Sequence, residues 1–113
     1  MEKTLFQKIC DKELSAQVVY EDADVVAFRD INPQAPTHVL IVPRKPIARI
    51  AEADAGDAGL LGRLLLKAAE VARTLGLERG FRLVVNNGPD GGEAVPHLHV
   101  HILGGRPMQW PPG

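Results

Sequence analysis

The chain has 113 residues, enough for one domain whose core is small enough to benefit from a shared subunit interface. A formal charge of −1, with Arg44, Lys45 and Arg49 as its only basic cluster, lacks the positive field that a phosphate backbone requires and excludes nucleic acid as the main partner. A single cysteine, Cys10, excludes an internal disulfide and a paired thiolate metal site, no run is apolar for long enough to cross a membrane, and Met1–Phe6 leads into charged residues rather than an apolar leader, so a reducing, cytoplasmic setting is expected.

In chain order, Leu5, Phe6, Ile9, Cys10 and Leu14 recur at three- and four-residue spacing and predict a short amphipathic helix over Leu5–Leu14. Val18–Glu21 and Val25–Phe28 are β-rich runs joined by Asp22-Ala23-Asp24, which predicts a hairpin. Asn32-Pro33-Gln34-Ala35-Pro36 then breaks regular structure twice, because proline lacks an N–H and biases the preceding residue towards extended geometry. His38–Val42 is almost continuously apolar, as expected of a central strand buried on both faces.

Asp57–Leu75 carries Leu60, Leu61, Leu64, Leu65, Ala68, Val71, Ala72 and Leu75 along one stripe, with Asp54 or Asp57 as N-cap and Gly76 as the stop, and predicts the main helix. Phe81–Val85 is a further strand. The loop Asn86–Gly92 has glycines that permit positive φ and expose backbone N–H groups, which suits an ordinary connector and an anion cradle equally well. Strands at both ends of one long helix predict an α+β domain with a mostly antiparallel sheet of about five strands.

Three of the four histidines fall within His97-Leu98-His99-Val100-His101-Ile102-Leu103, where strand alternation puts His97, His99 and His101 on one face and Leu98, Val100 and Ile102 on the other. Packing does not explain a face of three imidazoles. Two chemistries suit it. Alternate residues about 6.6 Å apart can converge two imidazoles on Zn²⁺, although no thiolate is near. Alternatively, a neutral imidazole can attack an electrophile through one nitrogen while the other donates a hydrogen bond, and the preceding glycine-rich loop favours a phosphoryl electrophile.

The segment from His97 to Leu103 resembles the histidine-triad signature of the HIT superfamily. Phe6–Ile9, Asp30–His38, Asn86, Asp90-Gly91-Gly92 and the ending Leu103-Gly104-Gly105-Arg106-Pro107-Met108-Gln109-Trp110-Pro111-Pro112-Gly113 are similar to its Hint branch, the histidine triad nucleotide-binding proteins. The resemblance implies one HIT-like α+β domain over residues 1–113, paired across a homodimer, with the tail 104–113 contributing and Trp110 reaching towards the partner's site. It further implies a purine nucleoside phosphoramidase without metal or other cofactor. His99 would attack the α-phosphorus, His101 would donate to the phosphate, and His97 and His38 would complete the cluster.

For the nucleotide, the resemblance implies Asp30 on the ribose hydroxyls, a base slot of Phe6, Ile9, Phe28, Ile31 and Leu40, and phosphate contacts from Asn86, Gly92, Glu93, Ala94 and Val95, with Val100 between the two reacting histidines. AMP, GMP or their derivatives would be the ligands. Ala94 stands where branch members commonly carry serine, so slower phosphoramidate turnover is expected, and Pro96 stands where an aromatic residue is commoner, which would stiffen the entry to the strand. A diadenosine-polyphosphate hydrolase and a nucleotide-sensing dimer with weak catalysis are the alternative functions.

Overall fold

The computed structural model describes residues 2–113. Its elements are α1 (Leu5–Cys10), β1 (Val18–Glu21), β2 (Val25–Arg29), β3 (Thr37–Pro43), α2 (Ala58–Thr74), β4 (Phe81–Val84) and β5 (Val100–Gly104), with one-turn 3₁₀ helices at Ile50–Glu52, Ala55–Asp57 and Pro89–Gly91. The five strands form one antiparallel sheet in the order β1-β2-β3-β5-β4, the α+β architecture expected from the sequence. Among the described residues no helix is long and apolar enough to cross a membrane.

The sheet has two working faces because alternate side chains point opposite ways. Val25, Ala27, Val39, Ile41, Val100 and Ile102 face α2 and pack with Leu64, Ala68, Val71 and Ala72. Val26, Phe28, Leu40 and Val42 face the other way and pack with Phe6, Ile9 and Cys10 of α1. Strand β3 serves both clusters, which is why its sequence is apolar throughout.

Several boundaries differ from the sequence reading. Helix α1 stops at Cys10 rather than Leu14, because Lys12 takes a left-handed φ of 62°, with its N–H on Ile9 O and the Glu13 N–H on Lys8 O. That is a Schellman ending with lysine in the place glycine usually occupies. Leu65 is half exposed, so the buried stripe of α2 is narrower than the sequence suggested. Asp54 and Asp57 form a capping box around the 3₁₀ turn that precedes α2, and the buried Asp57 carboxylate also accepts from Lys45 Nζ at 2.6 Å.

The largest difference concerns the histidine strand, which begins at Val100 rather than His97. The ladder runs from Thr37↔Gly104 to Ile41↔Val100 and stops. Continued two residues further, the same register would set Leu98 against Pro43, which has no N–H to give and whose carbonyl is already taken by the His97 ring at 2.8 Å. Backbone N–H groups turn elsewhere: His97 donates to Val95 O and Leu98 to Ile47 O. Gly104 closes β5, so the tail starts at Gly105 rather than at residue 104.

Gly76 (φ 79°) and Gly105 (φ 91°) separate two costs of adding a side chain. A Cβ at Gly76 would meet nothing within 4 Å, whereas one at Gly105 would sit 2.8 Å from Pro36 Cβ. Gly76→Ala should therefore cost about 1 kcal/mol from backbone conformation alone, and Gly105→Ala about 3 kcal/mol because overpacking adds to it. Urea denaturation of the two variants should separate them in that order; equal losses would mean that Pro36 yields freely.

Candidate active site

The β3–β5 pairing assembles the histidines. His38 lies opposite Leu103 and His101 opposite Leu40, so His38 and His101 meet diagonally with His38 Nε2 2.9 Å from His101 Nδ1. The rings of His99 and His101 lie 5.0 Å apart between centroids. Phe6 of α1 stands edge-on to His99 at 4.9 Å and to His97 at 6.4 Å. His38, His97 and His99 are buried.

Neutral imidazole has one N–H and one lone pair, so each ring can be assigned from partners that accept only or donate only. The Gln34 backbone N–H donates to His38 Nδ1 at 3.0 Å, so the His38 proton is on Nε2 and is given to His101 Nδ1. That leaves the His101 proton on Nε2. His99 Nδ1 lies 2.7 Å from the His97 carbonyl, which only accepts, so Nδ1 carries the proton and Nε2 keeps its lone pair. His97 donates from Nε2 to Pro43 O, and its Nδ1 receives the Thr4 hydroxyl at 3.2 Å. The result is one ring with a free nucleophilic nitrogen beside one with a free N–H.

Burial favours this uncharged state. The His97 ring is lowered from the usual imidazole range by burial, against the opposing hydrogen bond to Pro43. His38 is lowered by burial, with Asp30 opposing. His101 falls to about 4 through burial and then the neighbouring His99 and His38.

Asp30, expected at the ribose, sits at the end of β2, with Oδ1 accepting the Asn32 N–H at 2.7 Å and Oδ2 3.5 Å from His38 Nε2. Phe6, Ile9, Phe28 and Leu40 do form one apolar cluster, with Val95 packed against it. Ile31 does not join them; it is 99% exposed on the loop after β2. The Val100 side chain belongs to the α2 core, so only its backbone is directed with the histidines.

In the glycine-rich loop, Gly88 and Gly92 both have positive φ. Asn86 Nδ2 donates to Gly91 O at 2.7 Å, so half of the amide expected at the phosphate serves the loop itself. The Glu93 side chain is also occupied: it accepts Arg49 Nε and Nη2 at 2.8 and 3.0 Å and the Gly88 N–H at 2.9 Å, contacts that pull its carboxyl down to about 2. Ala94 is exposed beside it. Trp110 is 81% exposed, with the Arg82 guanidinium 6.0 Å from its ring.

Donor atoms of Asp30, His38 and His101 lie within 4.8 Å of one another, a spacing open to a metal ion. The hydrogen-bond directions oppose it: with Gln34 N–H on His38 Nδ1, ligation through His38 Nε2 would require an imidazolate. As arranged, the three residues carry a proton chain and do not fit a cation. Sequence reasoning missed the supports of the site, namely Thr4, Gln34, Pro43, Arg49 and Asn87, whose Oδ1 accepts the Ala51 N–H. Only Thr4 had a local signal, as the N-cap of Thr4-x-x-Gln7.

A HIT domain model matches residues 11–108. The chain belongs to the HIT domain family. A HIT family hydrolase from Legionella pneumophila superposes with a TM-score of 0.96 at 51% identity, covering 98% of this chain and 100% of its own. A 14 kDa zinc-binding protein of Zea mays is 54% identical over 97% of this chain and 88% of its own length. A histidine triad nucleotide-binding protein from Candida albicans superposes with a TM-score of 0.82 at 26% identity, over 96% of this chain and 83% of its own. HIT membership and the hydrolase neighbours make a HIT-type hydrolase the general description of this fold and site.

The lowered histidines set a pH window for stability. An unfolded imidazole titrates near pH ~6.5, so below that pH the unfolded chain takes up protons that the folded chain refuses. Their contribution is complete above pH ~6.5 and is lost as the pH falls towards about 4, where His101 titrates in the fold. Glu93, held at about 2, stays ionised throughout. Calorimetry should show Tm declining steadily across this window; a flat profile would contradict the neutral cluster.

Proposed function

We propose that the chain is a purine nucleotide-binding hydrolase that cleaves the P–N bond of nucleoside phosphoramidates through a nucleotidyl-histidine intermediate. The observation that carries this reading is the unclaimed lone pair on His99 Nε2, held by the Nδ1–H bond to the His97 carbonyl, beside the unclaimed His101 Nε2–H. The Nε2 lone pair attacks the α-phosphorus; an Nε2–P bond forms, the P–N bond breaks, and the amine leaves with a proton taken from solvent, which the hydrolytic water returns in the second step. Water then attacks phosphorus, the Nε2–P bond breaks, and the net reaction consumes one water to yield nucleoside monophosphate and free amine. His101 Nε2–H faces the charge that develops on the non-bridging oxygens.

Asp30 Oδ2 is the acceptor for the ribose hydroxyls, and the cluster of Phe6, Ile9, Phe28 and Leu40 is the wall for the base, with exposed Ile31 as an apolar flap beside it. The N–H groups of Ala94 and Val95 serve the phosphate, since those of Gly92 and Glu93 are given to Pro89 O and Gly88 O within the loop. A homodimer is part of the same reading, supported by the unpaired edge of β4 and by exposed Leu65, Leu66, Phe81 and Trp110. The zinc in the name of the maize relative is not carried over, because the His38 donor pattern opposes it.

His99→Ala should lower turnover of an adenosine phosphoramidate by on the order of 10³-fold or more, and rapid quenching of the unmodified protein should trap an adenylyl group mapped by mass spectrometry to His99. An adduct on another residue would overturn the mechanism, and faster cleavage of a dinucleoside polyphosphate would overturn the substrate class. Ala94→Ser restores a hydroxyl beside the phosphate loop and should raise kcat about two- to tenfold, the range of one net hydrogen bond. No gain would mean that the position is not near the reacting group.

A further inference from the structure

We propose that Thr4 is a positioning residue for the nucleophile: its hydroxyl holds His97 in the Nε2–H tautomer and thereby ties the helix that walls the base slot to the carbonyl that orients His99. Three bonds run in one direction through the His97 ring, and a fourth comes in to its carbonyl from His99. Gln7 N–H donates to Thr4 Oγ1 at 3.1 Å, Thr4 Oγ1 meets His97 Nδ1 at 3.2 Å, His97 Nε2 donates to Pro43 O at 2.8 Å, and the His97 carbonyl accepts His99 Nδ1–H at 2.7 Å. The Pro43 carbonyl cannot donate, so the single proton of neutral His97 is on Nε2, and the hydroxyl hydrogen of Thr4 must point at Nδ1.

The His97 ring is 1% exposed, so no water can take over that donor role. It is a strut between two elements, pinned by α1 at one nitrogen and by β3 at the other. Phe6, two residues beyond Thr4, lies edge-on to both His97 and His99. A shift of α1 is therefore felt at the base wall and at the nucleophile together. Neither the alternating spacing of the histidines nor the nucleophile itself requires a hydroxyl at this point; the arrangement of this chain does.

The kinetic part of this inference rests on the phosphoramidase reading, and the spectroscopic part does not. Three substitutions separate capping from tautomer control. Thr4→Ser keeps both functions, Thr4→Asp keeps an acceptor for Gln7 N–H but has no hydrogen to give, and Thr4→Val loses both. Histidine side-chain ¹⁵N spectra of the ligand-free protein should place the His97 proton on Nε2 in the unsubstituted chain and in Thr4→Ser. In Thr4→Asp the carboxylate should draw a second proton onto Nδ1, and in Thr4→Val the Nδ1 resonance should move towards that of an unbonded nitrogen.

With an adenosine phosphoramidate, Thr4→Asp should lose about tenfold in kcat with KM changed by less than about twofold, and Thr4→Ser should restore kcat. A His97 spectrum that is indifferent to Thr4→Asp and Thr4→Val would overturn the inference whatever the enzyme acts on. Full kcat in Thr4→Asp would reduce Thr4 to a helix cap. If the unsubstituted protein turns over no phosphoramidate, the substrate reading fails while the spectra still decide the role of Thr4.

Discussion

Three buried imidazoles, His38, His97 and His99, crowd with the half-buried His101 at one face of a small sheet, and rings packed this closely can lie beside one another only if every proton has somewhere to point. That constraint organises the site. Two ends of the network are fixed by groups with no freedom: the Gln34 N–H can only donate, and the Pro43 and His97 carbonyls can only accept. From these anchors the tautomer of each ring follows, and with it the separation of roles between a nitrogen lone pair on His99 and an N–H on His101. Reverse an anchor and the ring that it holds must change tautomer or take up a charge.

The anchors come from places where regular structure ends. Pro43 terminates β3, Gln34 lies in the double-proline loop before it, and His97 sits in the bend that precedes β5. A regular ladder would have consumed these backbone groups in pairing. Because proline cannot donate at position 43, the ladder fails there, and the freed carbonyl receives a side chain instead. Breaking the sheet one step early is thus the structural origin of the histidine arrangement. The cost of the break is limited, since Leu98 and His97 return their own N–H groups to Ile47 and Val95.

Periodicity made the scaffold readable. The continuous apolar run of β3, the three-and-four spacing of α2 and the Asp22–Asp24 turn are local patterns, and each formed within a few residues of its expected position. The three-histidine face was readable for the same reason, although His97 and His99 lie before β5 and only His101 sits on the strand. The network could not be read this way, because Thr4 and His97 are 93 positions apart, and a backbone N–H such as that of Gln34 leaves no mark in the sequence. Glu93 shows the converse: it lies in a recognisable glycine-rich segment, yet nothing local marks that its carboxylate turns inward to Arg49 and Gly88.

The two faces of the sheet divide the work unevenly. The α2 face is apolar, layered and closed, and it supplies most of the burial; the α1 face trades apolar area for rings that each need a directed partner. A six-residue helix is too short to be stable alone, so α1 depends on that face for its own structure. Its N-cap hydroxyl is shared with His97 and its Phe6 with His99, so the contacts that hold the helix are also contacts of the rings. On the α1 side, stability and geometry draw on the same few bonds, and a change in either is felt in the other.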